Sequence, residues 1–247
     1  MPAAQIAIID RTGTVDVHLL RGLAAAINTQ VTRDLPKFWG ITAKVGYLPA
    51  TRRVPAHTWP VYLVDVLPPG EAPGFHFKNR RPFAKVMVMP LNDRWTIGVS
   101  HEIIEMLVDP SGNLTYPSRS IELEGGRIVD GSGIAKYIVE ACDPCEHRNY
   151  SIHGITVSDF VTPEFYAPAP APRTRYSFTG TMPAPRRVLR RGYISWQNVE
   201  TDRWHQCHYH KGASGPNITN LPRLTGGTLR ECADAAASKI RGEAADS

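Results

Sequence analysis

Apolar positions in the first hundred residues recur with two different periods. Residues 4–10, Ala-Gln-Ile-Ala-Ile-Ile-Asp, form a short apolar run that predicts a buried strand, with a turn at Arg11-Thr12-Gly13-Thr14. Over 15–35, Leu19, Leu20, Leu23, Ala26, Ile27 and Val31 recur every three or four positions. That spacing predicts a helix with one apolar face over a sheet, and Pro36 is expected to stop it. Strands are expected over 41–48 and 59–66, the second carrying Val61, Leu63, Val64 and Val66 and ending at Pro68-Pro69-Gly70. The run 84–89 predicts another strand, following Gly74-Phe75-His76-Phe77 and ending at Pro90, and its bracketing prolines suit a sheet edge. A second helix is expected over 95–108, closed by Asp109-Pro110-Ser111-Gly112.

Beyond Gly112 turns become frequent. Hairpins are expected over 121–129 and 150–160, the latter turning at His153-Gly154. The stretch Pro163-Glu164-Phe165-Tyr166-Ala167-Pro168-Ala169-Pro170-Ala171-Pro172 reads as a stiff linker. It suggests a first domain over 1–166 and a second part over 167–247, with short strands at 193–196 and 204–209. From 212 the chain is polar and Gly-rich, and partial disorder is expected there. The fold class expected is α/β of the α+β kind: a mixed sheet, a long backing helix and a second buried helix, then a small β-rich C-terminal module.

Composition narrows the classes. A hydrophobic fraction of 42% with 21% charged residues supports a globular core, and 21 prolines point to a loop-rich chain. The formal charge of +5 owes much to Arg173, Arg175, Arg186, Arg187, Arg190 and Arg191. No aromatic RNA-binding signature or recognition-helix pattern accompanies them, so a solvated or subunit-contacting basic face is expected rather than a nucleic-acid partner. The N-terminus lacks the basic start and apolar run of a secretory signal, and no run approaches a membrane span of about 20 residues. A cytoplasmic protein is therefore expected, with a virion-associated one as the alternative.

The chemistry concentrates on the second helix. His101 and Glu105 in His101-Glu102-Ile103-Ile104-Glu105 are four residues apart, so both side chains leave one face and can reach one ion. Imidazole and carboxylate are both zinc ligands. Glu102 lies one position round, where it can act as general base on a metal-bound water whose pKa the ion lowers towards about 7. Ile97, Val99, Ile103, Ile104, Met106, Leu107 and Val108 make the rest of the helix apolar. Carboxylates buried side by side in such surroundings are costly without a compensating cation.

The arrangement resembles the zincin metallopeptidases over residues 4–112. More narrowly, Ser100-His101-Glu102-Ile103-Ile104-Glu105-Met106-Leu107-Val108-Asp109-Pro110, with Glu140-Ala141-Cys142-Asp143-Pro144 and Val157-Ser158-Asp159-Phe160-Val161-Thr162-Pro163 downstream, is similar to a set of bacterial and phage-associated zincins. That similarity runs to Tyr166. It implies a metallopeptidase acting on a peptide or protein, with His101 and Glu105 as metal ligands and Glu102 as catalytic base. Most zincins have a second histidine where this chain has Glu105. A carboxylate is a harder ligand, so manganese, iron or calcium can compete with zinc.

Zincins commonly draw a third ligand from a later segment. Asp109 lies about 12 Å from His101 along the axis, too far for one ion. Glu140 and Asp143 are the candidates, Glu140 favoured by the apolar lead-in Tyr137-Ile138-Val139. Cys142 and Cys145, with Cys207, His205, His208 and His210, have the ligand types of a separate structural zinc site, while buried thiols are the plainer reading. His76 is a candidate for lining the cleft, where a peptide would add as a strand beside 84–89, with a plain surface histidine as the alternative. Tyr150 and Tyr166 are candidates for stabilising an oxyanion. The alternative to a hydrolase is a catalytically inactive zincin-fold interaction protein of a phage particle or bacterial assembly, its C-terminal module contacting the partner.

Overall fold

The computed structural model describes residues 3–67, 74–89, 94–209 and 214–243, without the side chains of 79 and 238–243. The expected strand stop at Pro68-Pro69-Gly70, together with Pro90 and His210, lies outside the described residues. The architecture is α+β, in two compact units: Met1–Ser111 with Asn149–Ser158, and Gly112–Arg148 with Asp159–Ser247. No helix among the described residues is long and apolar enough to cross a membrane.

In the first unit, β1 (Ala4–Asp10), β2 (Ala43–Tyr47), β3 (Thr58–Val64), β4 (Gly74–Asn79) and β5 (Arg81–Met87) form one sheet in the order β2-β1-β3-β5-β4. β1, β2, β3 and β5 are parallel, and β4 runs antiparallel to β5. The expected edge strand at 84–89 is thus corrected. The strand over 81–87 is interior, and β4 takes the edge because the residues around Arg80 turn the chain back on itself as a hairpin.

Helix α1 (Val17–Thr29) starts where Asp16 accepts from the amides of His18 and Leu19, satisfying first-turn donors. Leu20, Leu23, Ala26 and Ile27 are buried on its inner face. Pro36 does not stop the chain from coiling. A π-helical turn over Gln30–Asp34, with Leu35 N–H donating to Gln30 O, leads into α2 (Pro36–Trp39), where proline sits at the first turn and needs no donor. Gly40, at φ 65°, ends it in the left-handed conformation that glycine adopts without strain. Helix α3 (Arg94–Val108) packs on β4 and β5. The hairpin β8 (Asn149–Ile152) and β9 (Ile155–Ser158), turning at His153-Gly154, lies against α1 and α3.

The second unit is built on an antiparallel sheet of β6 (Thr115–Glu124), β7 (Arg127–Ile138), β10 (Tyr193–Asn198), β11 (Trp204–His208) and β12 (Asn217–Leu221), in the order β12-β11-β10-β7-β6. β6 and β7 are longer than the expected hairpin at 121–129. Pairing of β10 with β7 joins segments on either side of the proline stretch, so the boundary expected after Tyr166 is not where the units divide. The stretch is tied down within this unit: the Tyr176 hydroxyl bonds the main chain of Ala171, and Arg186 N–H donates to Phe165 O.

The region after 212 also departs from expectation. It contains β12 and helix α4 (Leu229–Glu243), whose Ala233 and Ala237 pack with Ile138, Trp204 and Leu221. Thr228 and Glu231 form a reciprocal capping box, each side chain accepting from the other's amide. An apolar stripe made mainly of alanines is too weak a hydropathy signal to stand out from its polar neighbours.

Arg186, expected on a solvated basic face, is fully buried. Its Nη2 lies 2.8 Å from Asp130 Oδ1, and Arg187 shares the same oxygen. Partial burial opposes ionisation of Asp130, but the two guanidiniums outweigh it and hold the carboxyl below the ordinary aspartate value. A depressed carboxyl stabilises the fold above the unfolded pKa of about 3.9 and loses that contribution as pH falls through the folded value. Asp130→Asn leaves a buried guanidinium short of its counter-charge. It is expected to cost about 3 kcal/mol in urea unfolding at pH 7, with the deficit shrinking below about pH 4.

Candidate metal centre

Why α3 carries polar groups into the interior follows from its packing. Val99, Ile103, Ile104 and Met106 are buried, and Gly98 permits close approach to β5, since a Cβ there would meet Val86 Cγ1 at 3.3 Å. Thr96 Oγ1 donates to Thr156 O, anchoring the first turn to β9. A helix held this closely on its sheet takes the whole of its inner surface out of water.

Glu102 and Glu105 are consequently only 4% and 1% exposed. His101 Nε2 lies 3.4 Å from Glu105 Oε2, so the expected one-turn pair is formed. Glu102 faces β4, where His76, 7% exposed, places Nδ1 2.9 Å from Glu102 Oε2. The other oxygen of Glu102 sits over Gly74, where a methyl group would come within 3.0 Å of Oε1. One ligand atom each from His76, Glu102 and Glu105 lies within 4.8 Å of the other two. Donors about 2.0–2.2 Å from one ion are at most about 4.4 Å apart, so contraction by a few tenths of an ångström would seat a cation. Two carboxylates and an imidazole suit zinc, manganese or iron.

His76, a candidate for lining the cleft, enters this cluster from β4, where it stands between Phe75 and Phe77. In the structure the phenylalanines are half-buried, and His76 shares the buried face with Ala84, its partner on β5.

Behind the site runs a buried polar network. Ser100, immediately before His101, accepts from Ser158 N–H and donates to Gln30 Oε1, each at 2.9 Å. Gln30 Nε2 donates to Ser158 O at 2.8 Å and to the Tyr150 hydroxyl at 3.1 Å. That hydroxyl donates to Asp34 Oδ2 at 3.0 Å. Tyr150, a candidate for an oxyanion, is thereby engaged in holding the π-helical turn. Gln30 is fully buried, and a polar residue within an amphipathic repeat gave no sign of this.

The other expected residues belong to the second unit. Glu140 is buried, accepts from the Tyr193 hydroxyl at 3.4 Å and lies 3.6 Å from Arg230 Nε. Tyr193 also donates to Asp234 at 3.1 Å; burial, reinforced by Asp143, Asp234 and Glu140, pushes its pKa well above the ordinary tyrosine value, so it stays a donor. Asp143 is buried in a short 3-10 turn, Asp143–Cys145. Tyr166, the second oxyanion candidate, is buried and stacks on Tyr116. Cys142, Cys145 and Cys207 are buried thiols. Among the described residues they join no cluster of three metal-ligating side chains, and burial pushes the Cys207 thiol up to about 12, away from the thiolate that zinc requires.

Ser100→Ala removes a hydroxyl to which Gln30 and Ser158 are both bonded. A loss of about 2 kcal/mol is expected in thermal or urea unfolding, the desolvation cost of buried groups deprived of a partner. Comparison of the chain with protein-family models, with curated proteins and with solved structures gives no match.

Proposed function

We propose that this protein is a metal-dependent hydrolase, a metallopeptidase of the zincin kind, with Glu102 as its general base. The observation that carries the reading is the burial of two carboxylates on one helix, Glu105 beside His101 at 3.4 Å and Glu102 held by His76 at 2.9 Å. Like charges so placed repel strongly out of water, and a divalent cation offsets that cost. In this reading His101 and Glu105 would hold the cation from one stripe of α3. Bound there, zinc, or manganese, iron or calcium in its place, would supply Lewis acidity and bring the pKa of water towards about 7.

Glu102 would accept a proton from water at Oε1, the oxygen over Gly74, while His76 holds Oε2 and orients the carboxylate. The sequence reading adds a later acid as a further ligand. Glu140 and Asp143 are the candidates for that role.

Metal analysis of the purified chain reconstituted with zinc, paired with casein hydrolysis, tests the proposal. One bound equivalent is expected, lost in His101→Ala and Glu105→Gln. Glu102→Gln should retain the metal and lose turnover by about a hundredfold or more. His76→Ala should keep the metal with weakened turnover; if it loses metal as fully as His101→Ala, His76 is itself a ligand. Whichever of Glu140→Gln and Asp143→Asn weakens metal binding more identifies the further ligand. Failure of the chain to bind any of the four metals, or full turnover in Glu102→Gln, overturns the hydrolase reading.

A further inference from the structure

β4 links the candidate centre to a second feature. It begins at Gly74 beside Glu102, carries His76, and ends at a turn where Arg80 adopts a left-handed φ of 56°. Arg80 and Arg81 there line a hollow of about 1080 Å3 together with Arg53, Val54, Pro55 and Ala56. Arg81 is anchored, its Nη1 donating to Pro55 O at 2.7 Å and Ala56 O at 3.2 Å. Arg53 and Arg80 are exposed and, among the described residues, make no ion pair. Among the described residues that line it there is no carboxylate. Three guanidiniums around one hollow repel one another, and an anion seated between them relieves the repulsion while accepting forked hydrogen bonds.

We infer that this hollow is an anion site for the acidic side chains of a polypeptide laid along β4. β4 is the outermost strand of its sheet, and an extended chain can pair with an edge through main-chain hydrogen bonds. From His76 to Arg80 is four residues, about 13 Å of strand, so an added chain with a residue opposite His76 presents one about four positions away to the arginines. Among the described residues the lining offers valine, proline and alanine but no aromatic ring for a base to stack on, which favours an acidic peptide over a single-stranded nucleic acid. The inference rests on the hydrolase reading only in placing the bond to be cut beside His76; recognition of the anion stands without it.

Fluorescence anisotropy on the full chain at low salt tests this without requiring cleavage or metal. The probes are labelled dodecapeptides of alternating threonine and valine that end in three glutamates or in three glutamines. The glutamate peptide is expected to bind about tenfold tighter or more, an advantage abolished in the double variant Arg53→Ala, Arg80→Asn. Asparagine is chosen because it tolerates a left-handed backbone, and circular dichroism verifies that the variant is folded. N-methylation of alternate residues of the glutamate peptide should weaken binding by a similar factor. Equal binding of the two peptides, undiminished binding by the double variant or by the N-methylated peptide, or stronger competition by a thymidine dodecanucleotide than by the unlabelled glutamate peptide overturns the inference. Absence of casein hydrolysis alongside the expected anisotropy would fault the hydrolase reading alone.

Discussion

Charge buried on α3 is the constraint around which the first unit is organised. Glu102 and Glu105 enter an apolar layer because the helix is drawn onto β4 and β5 by Val99, Ile103, Ile104 and Met106. Water does not solvate them freely there, so the surrounding protein must. His76 does this for Glu102 at 2.9 Å and His101, more loosely, for Glu105 at 3.4 Å. The site is therefore a product of packing: the hydrophobic force that seats the helix also desolvates the groups that give it chemistry.

A second layer of polar groups keeps that helix in register. Ser100 is bonded on one side to the π-helical turn through Gln30 and on the other to β9 through Ser158. An i→i−5 turn in the middle of a helical stretch rotates later residues relative to an ordinary helix. Here the turn leads into a proline that an uninterrupted α-helix would not accommodate. Asp34, at its end, accepts from Tyr150 of the same hairpin. A backbone irregularity and a histidine–carboxylate pair thus depend on one another through a single serine.

What could be read in the chain was the part governed by periodicity and by local turn chemistry. The strands of the parallel sheet, the two long helical stretches, the His153-Gly154 turn and the one-turn pairing of His101 with Glu105 all follow from residue spacing. What escaped was settled by tertiary context. Which of two neighbouring segments becomes the edge depends on the direction of β4, and the burial of His76 against Glu102 depends on how α3 packs on that strand. Arg186 looked like one of a run of surface arginines, and its burial follows from Asp130, more than fifty residues earlier. The proline stretch had the composition of a linker, yet its backbone is held by Tyr176 and Arg186. Helix α4 was hidden because alanine stripes carry little hydropathy, although Thr228 and Glu231 already spelled its start.

The first unit is discontinuous in the chain, and this bears on how the protein is made. Its last piece, Asn149–Ser158, supplies both the Ser158 main chain and the Tyr150 hydroxyl to a network whose other members lie between Gln30 and Ser100. During synthesis from the N-terminus, β1 to α3 emerge with Ser100 and Gln30 facing positions that no residue yet occupies. The helix bearing Glu102 and Glu105 acquires its final anchorage only after a further fifty residues or so, most of them belonging to the second unit, have left the ribosome. Maturation of the centre is in this way timed by the order of the polypeptide itself.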